Sequence, residues 1–340
     1  MTDKQIAPVK WGILGTAKIG VAKVIPAMQA SRLANVVAIA SRDIAKARAA
    51  AGRLGIPRAY GSYEELLDDP DIEAIYNPLP NHLHVPWSIR AANAGKHVLC
   101  EKPIALTARE ARELLEVRDR TGVQIGEAFM LRTHPRWHRV REIIASGRIG
   151  ELRLITGHFS YNNRDPNDIR SRTDWGGGAL MDIGCYPITI SRWLFGAEPI
   201  EVMGIIERDP EMGIDRLASG MLRFEKGQAT FSCAGQLVLY QTMQIFGTAG
   251  RIGVDIPFNA PPNEERHLVV DDGRDLTGGG IETITFPPMD QYTLQADRFS
   301  EAIRGVGVVP VSLEDAIGNM AVIDAVFRSA ESRKWERPVS

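Results

Sequence analysis

The chain has 340 residues, of which 44% are hydrophobic and 24% charged, and its 40 basic and 42 acidic side chains leave a net charge of −2. This length fits one large or two ordinary domains, and the near-neutral charge argues against nucleic-acid and membrane surfaces as partners. The three cysteines form no Cys-x-x-Cys pair or His/Cys cluster, so we expect neither a disulfide framework nor a metal site. The start of the chain is charged and no apolar run reaches about 18 residues, so we expect a cytoplasmic protein without an export signal or membrane span.

The first 130 residues alternate short apolar runs with helical patterns, which is typical of βαβ units and a parallel sheet. The predicted helices cover residues 19–31, 43–54, 85–94 and 107–120, and several of them end at glycine. The predicted strands lie near residues 10–14, 36–40, 59, 74–77, 97–100 and 123–128. We therefore predict an α/β Rossmann dinucleotide-binding domain over residues 1–128.

From about residue 129 the pattern changes to that of an α+β domain, which we predict over residues 129–340. Helices at 136–146 and 179–195 enclose a strand at 152–161, and consecutive strands follow at 200–207, 217–224, 228–234, 241–246 and 250–255. Residues 271–280 are predicted as a polar, glycine-rich loop. Two helices, 291–304 and 313–332, close the chain, and Ser312 with Asp315 three residues on marks the start of the second. The consecutive strands predict an antiparallel sheet.

A glycine-rich segment, Gly15-Thr16-Ala17-Lys18-Ile19-Gly20, follows the first strand and opens a helix. A tight turn of this kind aims backbone N–H groups and the positive end of the helix dipole at a pyrophosphate. Ala17 departs from the Gly-x-Gly-x-x-Gly pattern at the second glycine, but its methyl group is small enough for a phosphate to approach. We expect cofactor contacts from Gly15, Thr16, Ala17, Lys18 and Ile19, and the alternative is a plain strand-to-helix turn.

The second strand ends in Ala40-Ser41-Arg42-Asp43, where an NAD enzyme usually places an acidic residue to accept the ribose 2′-hydroxyl. Ser41 and Arg42 instead offer a hydroxyl and a guanidinium fork, which suit a 2′-phosphate. We therefore expect NADP as the cofactor, with NAD as the alternative. In the competing interpretation, Arg42 is a solvated surface charge and Asp43 caps the next helix.

Two further motifs follow the fourth and fifth strands, at the edge where open α/β sheets bind ligands. The first covers residues 77–84 and the second is Glu101-Lys102-Pro103. A residue directly before proline has restricted backbone freedom, so Lys102 is predicted to be a held cation rather than a surface lysine in a rigid turn; the sequence allows either isomer of its bond to Pro103. The cofactor contacts expected from these motifs are Asn77, Pro78, Leu79, Asn81, His84, Glu101 and Lys102.

The last motif is the segment 174–186, in which Asp182 and Tyr186 lie four residues apart on a predicted helix. This spacing directs both side chains from one face toward a common site. Tyrosine has a reference pKa of about 10, and a neighbouring ammonium such as that of Lys102 favours the phenolate. Tyr186 is therefore a candidate proton acceptor. On spacing alone, the alternative is that Asp182 caps or solvates the helix and Tyr186 is a core residue.

Over nearly its whole length, the chain resembles the family of glucose-fructose oxidoreductase, inositol dehydrogenase and the rhizopine-catabolism protein. The resemblance is carried by residues 15–20, 77–84, 101–103, 127–130, 132, 134–135, 176–186 and 247–250. It implies a Rossmann domain followed by an α+β domain with a large, mostly antiparallel, open-faced sheet. It also implies that this sheet packs against another copy of the chain, in a homodimer or homotetramer.

The same resemblance implies that Lys102 and Asp182 are catalytic or substrate-positioning residues. Many members of the family place a histidine four residues after that aspartate as the acid/base group. This sequence has Tyr186 there, as do the branches that resemble glucose-fructose oxidoreductase, xylose dehydrogenase and dimeric dihydrodiol dehydrogenase. An inositol dehydrogenase is disfavoured accordingly.

Together these features predict an enzyme that oxidises a sugar hydroxyl, at C1 of an aldose, to a lactone while NADP⁺ takes the hydride. Tyr186 would accept the hydroxyl proton, Lys102 would stabilise the developing alkoxide and Asp182 would orient adjacent hydroxyls. Further substrate contacts are expected from Tyr161, Asn163, Arg170 and Tyr292, and further cofactor contacts from Arg132 and Trp175. A one-residue slip would instead turn Tyr161 toward the sheet core, and Trp175 also suits a packing role.

Two other functions are compatible with these residues. A keto-sugar reductase or a trans-dihydrodiol dehydrogenase would use the same lysine, aspartate and tyrosine on the same scaffold. A non-catalytic, dinucleotide-sensing regulator would keep the fold without the chemistry, and the presence of Lys102, Asp182 and Tyr186 argues against it. In each enzymatic case the expected partner is a small polyhydroxy molecule.

Overall fold

The computed structural model describes residues 6–339, which fall into two compact units. The first contains the described chain up to Thr133 together with Asp290–Ala316, and the second contains His134–Met289 and the chain from Ile317 onward. Within residues 6–339, none of the helices combines the length and the apolar character needed to cross a bilayer.

Six strands of the first unit pair in parallel: β1 (Val9–Leu14), β2 (Ala34–Ala40), β3 (Arg58–Tyr60), β4 (Ala74–Asn77), β5 (His97–Glu101) and β6 (Ile125–Ala128). Their order across the sheet is β3-β2-β1-β4-β5-β6. This is the strand order of a doubly wound dinucleotide-binding fold, so the predicted Rossmann class is confirmed. Most of these strands are buried along nearly their whole length, as a parallel sheet covered on both faces requires.

The helices of this unit are α1 (Ile25–Ala30), α2 (Ile44–Leu54), α3 (Tyr63–Leu67), α4 (His84–Asn93) and α5 (Ala108–Thr121), with a π-helical turn at Gly20–Val24 directly before α1. The N-cap side chains of Asp43 and Thr107 accept backbone N–H groups in the first turns of α2 and α5. Helix α2 ends at Gly55 and α5 at Gly122, and both glycines have a positive φ, a backbone conformation that residues with a side chain rarely adopt. Local sequence therefore fixes these helix ends.

The second unit contains α6 (Pro135–Ala145), α7 (Cys185–Phe195) and eight strands: β7 (Leu152–Asn162), β8 (Glu201–Arg208), β9 (Asp215–Arg223), β10 (Gln228–Ala234), β11 (Gln236–Gly247), β12 (Arg251–Asp255), β13 (Arg266–Asp271) and β14 (Ile281–Phe286). These strands form one sheet in the order β14-β13-β12-β11-β7-β10-β9-β8. Every neighbouring pair is antiparallel except β7 and β10. The predicted α+β class with a mostly antiparallel sheet is confirmed.

Strands β13 and β14 are absent from the sequence-based prediction. They form an antiparallel hairpin around the predicted glycine-rich loop at 271–280. Strand β14 lies at the sheet edge and half or more of its residues are exposed, so it lacks the alternation of apolar and polar residues that marks a half-buried strand. Its pairing with β13, rather than its composition, holds it in the sheet.

Helix α8 (Gln291–Ile303) belongs to the first unit, which corrects the predicted boundary of 129–340 for the second domain. Ala296 and Phe299 lie in the buried core cluster of the first unit, where the Phe299 and Trp11 ring centroids are 5.7 Å apart. Burial of this apolar face stabilises α8 in the first unit, although the helix lies far from that unit in sequence. A division of the sequence at a single boundary cannot predict this. Helix α9 (Leu313–Ser332) follows, and Ser312 Oγ accepts the Asp315 N–H at 3.3 Å, as its sequence predicts.

Candidate functional site

The glycine-rich turn packs directly on the loop that follows β4. Gly15 has a φ of +81°, and a Cβ atom there would lie 3.0 Å from Leu79 Cδ2. A Cβ atom at Gly20 would lie 3.6 Å from the Pro78 ring, which is an ordinary contact distance. The structure thus brings the predicted motifs 15–20 and 77–84 together. The positive φ at position 15 favours glycine over any residue with a side chain.

This turn fits a pyrophosphate. It is followed at once by a helical segment whose first turn contains no acidic side chain. The first N–H groups of a helix have no intrahelical acceptor, so they are available to an anion at the turn. Thr16, Ala17, Lys18 and Ile19 lie at this turn, and their contacts with the cofactor stay a prediction.

The end of β2 offers a basic rather than an acidic group. Asp43 Oδ1 accepts the N–H groups of Ala45 and Lys46, at 3.0 and 3.4 Å, so this carboxylate caps α2. Arg42 is exposed and Ser41 is nearly buried, with its Oγ accepting the Asp43 N–H at 3.3 Å. Because the carboxylate serves the helix, the residues at this position suit a ribose 2′-phosphate better than a 2′-hydroxyl.

Tyr63, which the sequence analysis did not single out, joins these two parts of the candidate cofactor site. Its side chain is nearly buried, and its hydroxyl lies 3.5 Å from where a Cβ atom of Gly15 would stand. Burial raises the pKa of Tyr63, and the positive charge of the nearby Arg42 acts in the opposite direction. Tyr63 therefore lies close to both Arg42 and the glycine-rich turn.

Asn77 and His84, which were expected to contact the cofactor, are buried and make hydrogen bonds within their own loop. Asn77 Nδ2 donates to the His84 carbonyl and to Ser88 Oγ, both at 3.1 Å. The two ring nitrogens of His84 lie 2.7 Å from the carbonyl oxygens of Leu79 and Pro103. Burial lowers the pKa of His84 to about 4. These residues therefore shape the loop and tie it to Pro103. Asn81 is half-buried, and its cofactor contact stays a prediction.

Glu101 is the last residue of β5 in the same unit, Lys102 follows it, and the Lys102–Pro103 peptide bond is cis. Glu101 Oε1 accepts the hydroxyl of the fully buried Tyr76 at 2.6 Å. Tyr292, expected among the substrate contacts, lies on α8 in this unit, where burial and the Glu101 charge raise its pKa. Tyr292 thus lies in the same unit as Glu101 and Lys102, and its substrate contact stays a prediction.

Arg132 also belongs to the first unit. Its Nη1 lies 2.7 Å from Asp315 Oδ2, and only 9% of the Arg132 side chain is exposed. An ion pair this well shielded from water holds a guanidinium in place. The expected cofactor contact of Arg132 would have to come from its remaining N–H groups.

In the second unit, Asp182 lies in a π-helical turn, Leu180–Gly184, and Tyr186 in the first turn of α7 that follows. Asp182 Oδ2 accepts the Tyr161 hydroxyl at 2.7 Å and the Arg170 Nε–H at 2.9 Å. The carboxylate of Asp182 raises the pKa of Arg170, and burial followed by the same charge raises the pKa of Tyr161. Three predicted substrate residues therefore form one hydrogen-bonded cluster, in which Asp182 is held as a carboxylate.

Tyr186 stands in an aromatic environment. Its ring centroid lies 5.3 Å from that of Phe258 and 5.7 Å from that of Phe159, and the side chain is only 4% exposed. Phe258 follows a turn that Arg136 holds by donating to the carbonyls of Asp255 and Ile256, at 2.7 and 2.9 Å. These contacts fix the tyrosine ring. Phe258 has no recognisable signal in the sequence because its position depends on Arg136, more than 100 residues earlier.

Two further predicted residues have local roles in this unit. Asn163 Oδ1 accepts the Asp165 N–H at 3.0 Å, and so shapes the loop after β7. Trp175 ends a short 3-10 turn, Thr173–Trp175, and its ring lies under the Arg172 guanidinium at 4.8 Å. Neither belongs to the Tyr161–Arg170–Asp182 cluster.

A Rossmann unit with an anion-binding turn, joined to an α+β unit that carries a tyrosine and a held carboxylate, is the arrangement of dinucleotide-dependent oxidoreductases with a separate substrate domain. Family models agree. The model of the oxidoreductase family with an NAD-binding Rossmann fold matches residues 9–129, and that of the GFO/IDH/MocA C-terminal domain matches residues 137–253. The chain belongs to the GFO/IDH/MocA oxidoreductase family.

Similar proteins are found along nearly the whole length. The chain is 52% identical over 329 residues to an uncharacterized oxidoreductase of Rhizobium meliloti, covering 96% of this chain and 98% of the relative. It is 40% identical over 324 residues to D-xylose 1-dehydrogenase (NADP(+)) 2 of Haloferax volcanii, covering 95% and 97%. The crystal structure of KijD10, a 3-ketoreductase from Actinomadura kijaniata in complex with NADP and TDP-benzene, matches with a TM-score of 0.88 at 29% identity, covering 95% and 98%.

Proposed function

We propose that this protein is an NADP-dependent dehydrogenase that oxidises the C1 hydroxyl of an aldose to an aldonolactone. The observation that carries this proposal is the Tyr161–Arg170–Asp182 cluster, which holds a carboxylate in the same unit as the candidate base Tyr186. A fixed carboxylate with adjacent N–H and O–H donors suits a ligand that carries several neighbouring hydroxyls. The similarity to a D-xylose 1-dehydrogenase supports the same substrate class.

The preference for NADP rests on the end of β2. Asp43 is engaged in capping α2, and Tyr63 lies close to both Arg42 and the glycine-rich turn. A guanidinium binds a phosphate dianion through two charge-assisted hydrogen bonds, and NAD offers no phosphate at this position. The D-xylose 1-dehydrogenase and the KijD10 complex described above are NADP proteins as well, which supports the proposal.

In the proposed reaction NADP⁺ would be held by the glycine-rich turn and Arg42, and it would supply the acceptor for the hydride from C1. Tyr186 takes the proton of the C1 hydroxyl, so that the C–H and O–H bonds of the sugar are replaced by the C=O bond of the lactone. The positive charge of Lys102 stabilises the negative charge that develops on the oxygen. Asp182, held by Arg170 and Tyr161, accepts hydrogen bonds from neighbouring sugar hydroxyls and fixes the ring.

A keto-sugar reductase is the second candidate, because the similar KijD10 structure is that of a 3-ketoreductase. The same residues would then act in reverse, with Tyr186 giving its proton to the carbonyl oxygen. A trans-dihydrodiol dehydrogenase would also use them. Only the substrate profile separates these activities.

The test is to incubate the purified protein with NADP⁺ or NAD⁺ and a panel of aldopentoses, aldohexoses, inositols and trans-dihydrodiols, following the absorbance of the reduced nicotinamide. We expect NADP-dependent turnover with aldoses alone. Turnover confined to dihydrodiols, or NADPH oxidation with a keto-sugar and no aldose oxidation, would overturn the substrate assignment. NADP binding without turnover on any substrate would favour a dinucleotide-sensing regulator.

We also propose that the protein forms a homodimer or homotetramer through the sheet of the second unit. Large apolar side chains are exposed on this sheet, among them the neighbouring residues Val238 and Leu239 on β11. Exposed apolar groups that lie close together mark association surfaces. Light scattering of the purified protein is expected to give a mass of two or four chains, and Val238→Asp is expected to reduce it; a monomeric wild type would refute this assembly.

A further inference from the structure

A second buried carboxylate lies directly beneath the helical segment that carries Asp182 and Tyr186. Asp215 is the first residue of β9, is 2% exposed and belongs to the same unit. Its Oδ2 accepts the N–H of Leu180, the first residue of the π-helical turn, at 2.5 Å. The start of this helical segment is therefore capped by a strand 35 residues later in the chain.

The glycines before the helix permit this contact. Gly178 has a φ of +108°, and a Cβ atom there would lie 1.8 Å from Asp215 Oδ1. A Cβ atom at Gly177 would lie 2.4 Å from the Arg170 carbonyl oxygen. The run of glycines thus brings the backbone close to Asp215 on one side and to the segment containing Arg170 on the other.

The charge of Asp215 is finely balanced. Burial raises its pKa to about 7, although hydrogen bonds from backbone N–H groups and the charge of Arg208 on β8 act in the opposite direction. Burial raises the pKa of the Cys233 thiol on β10, and the nearby charges of Asp215, Cys185 and Asp182 raise it further. No lysine, arginine or histidine of the described chain makes a salt bridge with Asp215.

We propose that Asp215 is a positioning residue whose carboxylate holds the helix start in register, so that substrate affinity falls when Asp215 becomes protonated. An ionised carboxylate accepts the hydrogen bond from the Leu180 N–H and stabilises the positive end of the helix dipole. A carboxylic acid carries a proton on one oxygen and no charge, and so fits this donor less well. Asp182 lies two residues after Leu180, and any shift of the helix start moves it relative to Tyr161 and Arg170.

The kinetic test rests on the proposed aldose oxidation. KM and kcat are measured between pH 5.5 and 8.5 for the wild type and for Asp215→Asn. We expect the wild-type aldose KM to rise about fivefold as the pH falls through about 7, which is the difference between a charge-assisted and a neutral hydrogen bond. Asp215→Asn is expected to lose this inflection and to keep the high KM throughout; the same inflection in both proteins would overturn the proposal.

Asp209→Asn is the matched control. Asp209 lies in the turn between β8 and β9, and its Oδ1 accepts the N–H groups of Glu211 and Met212 at 2.9 and 2.8 Å. It therefore caps a turn with the same chemistry but does not touch the π-helical turn. Its KM profile is expected to match that of the wild type.

A second measurement needs neither substrate nor variant. Hydrogen exchange of peptides spanning residues 176–190 is followed in the wild type at pH 6 and pH 8 and corrected for the intrinsic effect of pH on exchange. We expect the corrected protection of this segment to be greater at pH 8, because a local opening that breaks only the Leu180 N–H bond leaves Asp215 buried and is opposed by its negative charge. Global unfolding exposes Asp215 to water and is favoured by the same charge. Equal protection at both values would overturn the positioning role, whereas the expected pattern without aldose turnover would refute the proposed function alone.

Discussion

The ionisation of Asp215 predicts an unusual dependence of stability on pH. Its pKa is raised from an ordinary value of 3.8 to about 7, with burial as the largest cause. A carboxyl group whose folded-state pKa is raised binds its proton more tightly in the folded protein than in the unfolded one. The stability that the Asp215 proton adds to the folded protein is therefore fully present below about pH 4, and it is lost as the pH rises to about 7.

The magnitude follows from the size of the shift. A shift of about three pKa units corresponds to about 4 kcal/mol, at about 1.4 kcal/mol per unit. This value is the upper bound on the decrease in the free energy of unfolding of the second unit that ionisation of Asp215 causes between pH 4 and pH 8. Asp215→Asn resembles the neutral form at every pH. The difference in free energy of unfolding between Asp215→Asn and the wild type is therefore expected to shift in favour of the variant as the pH rises.

The assay is pulse proteolysis in a urea series at pH 5, 6, 7 and 8, with the cleavage read from peptides of the second unit. Comparing the variant with the wild type at each pH cancels the titration of all other groups. Asp209→Asn serves as the control, because hydrogen bonds from backbone N–H groups lower the pKa of Asp209 and leave it ionised over this range. A difference between Asp215→Asn and the wild type that stays constant from pH 5 to pH 8 would refute the reasoning.

Three further predictions concern the site itself. Tyr186→Phe removes the proposed proton acceptor and is expected to lower kcat about 10²- to 10⁴-fold without changing the Kd for NADP, as measured by steady-state kinetics and fluorescence titration; an unchanged kcat would exclude Tyr186 as the base. Arg42→Ala is expected to raise the KM for NADP at least about tenfold while leaving that for NAD nearly constant, and equal effects on both cofactors would remove the case for a 2′-phosphate contact. Phe258→Ala, at a fully buried ring, is expected to destabilise the second unit by about 3–5 kcal/mol in urea denaturation, with Phe258→Leu costing less; a loss below about 1 kcal/mol would contradict the packing described around Tyr186.

Much of the fold follows from patterns that are local in sequence. Apolar runs mark the strands of the first unit, and the ends of α2 and α5 coincide with Asp43, Gly55, Thr107 and Gly122, whose roles depend only on neighbouring residues. The glycine-rich turn and the pair Asp182 and Tyr186 were identified for the same reason. In each case the feature depends only on residues within one turn of helix or one tight turn, so the local sequence is enough to predict it.

The features that the sequence did not reveal depend on contacts between distant segments. Asp215 meets Leu180 across 35 residues, and Phe299 on α8 meets Trp11 in the core of the first unit. No periodicity encodes either contact. Asn77 shows a different limit: the motif placed it correctly at the end of β4, but the direction of its side chain, toward Ser88, is decided by the packing of α4.

The most direct test of the proposed activity follows the fate of the hydrogen at C1. An aldose that the protein oxidises is prepared with deuterium at C1 and incubated with NADP⁺, and the products are analysed by NMR. The proposed function predicts that deuterium appears on the nicotinamide ring of the reduced cofactor and is absent from the lactone, with a slower rate than for the unlabelled sugar if hydride transfer limits turnover. Reduced cofactor without deuterium, or a sugar product that keeps its C1 deuterium, would contradict hydride transfer from C1.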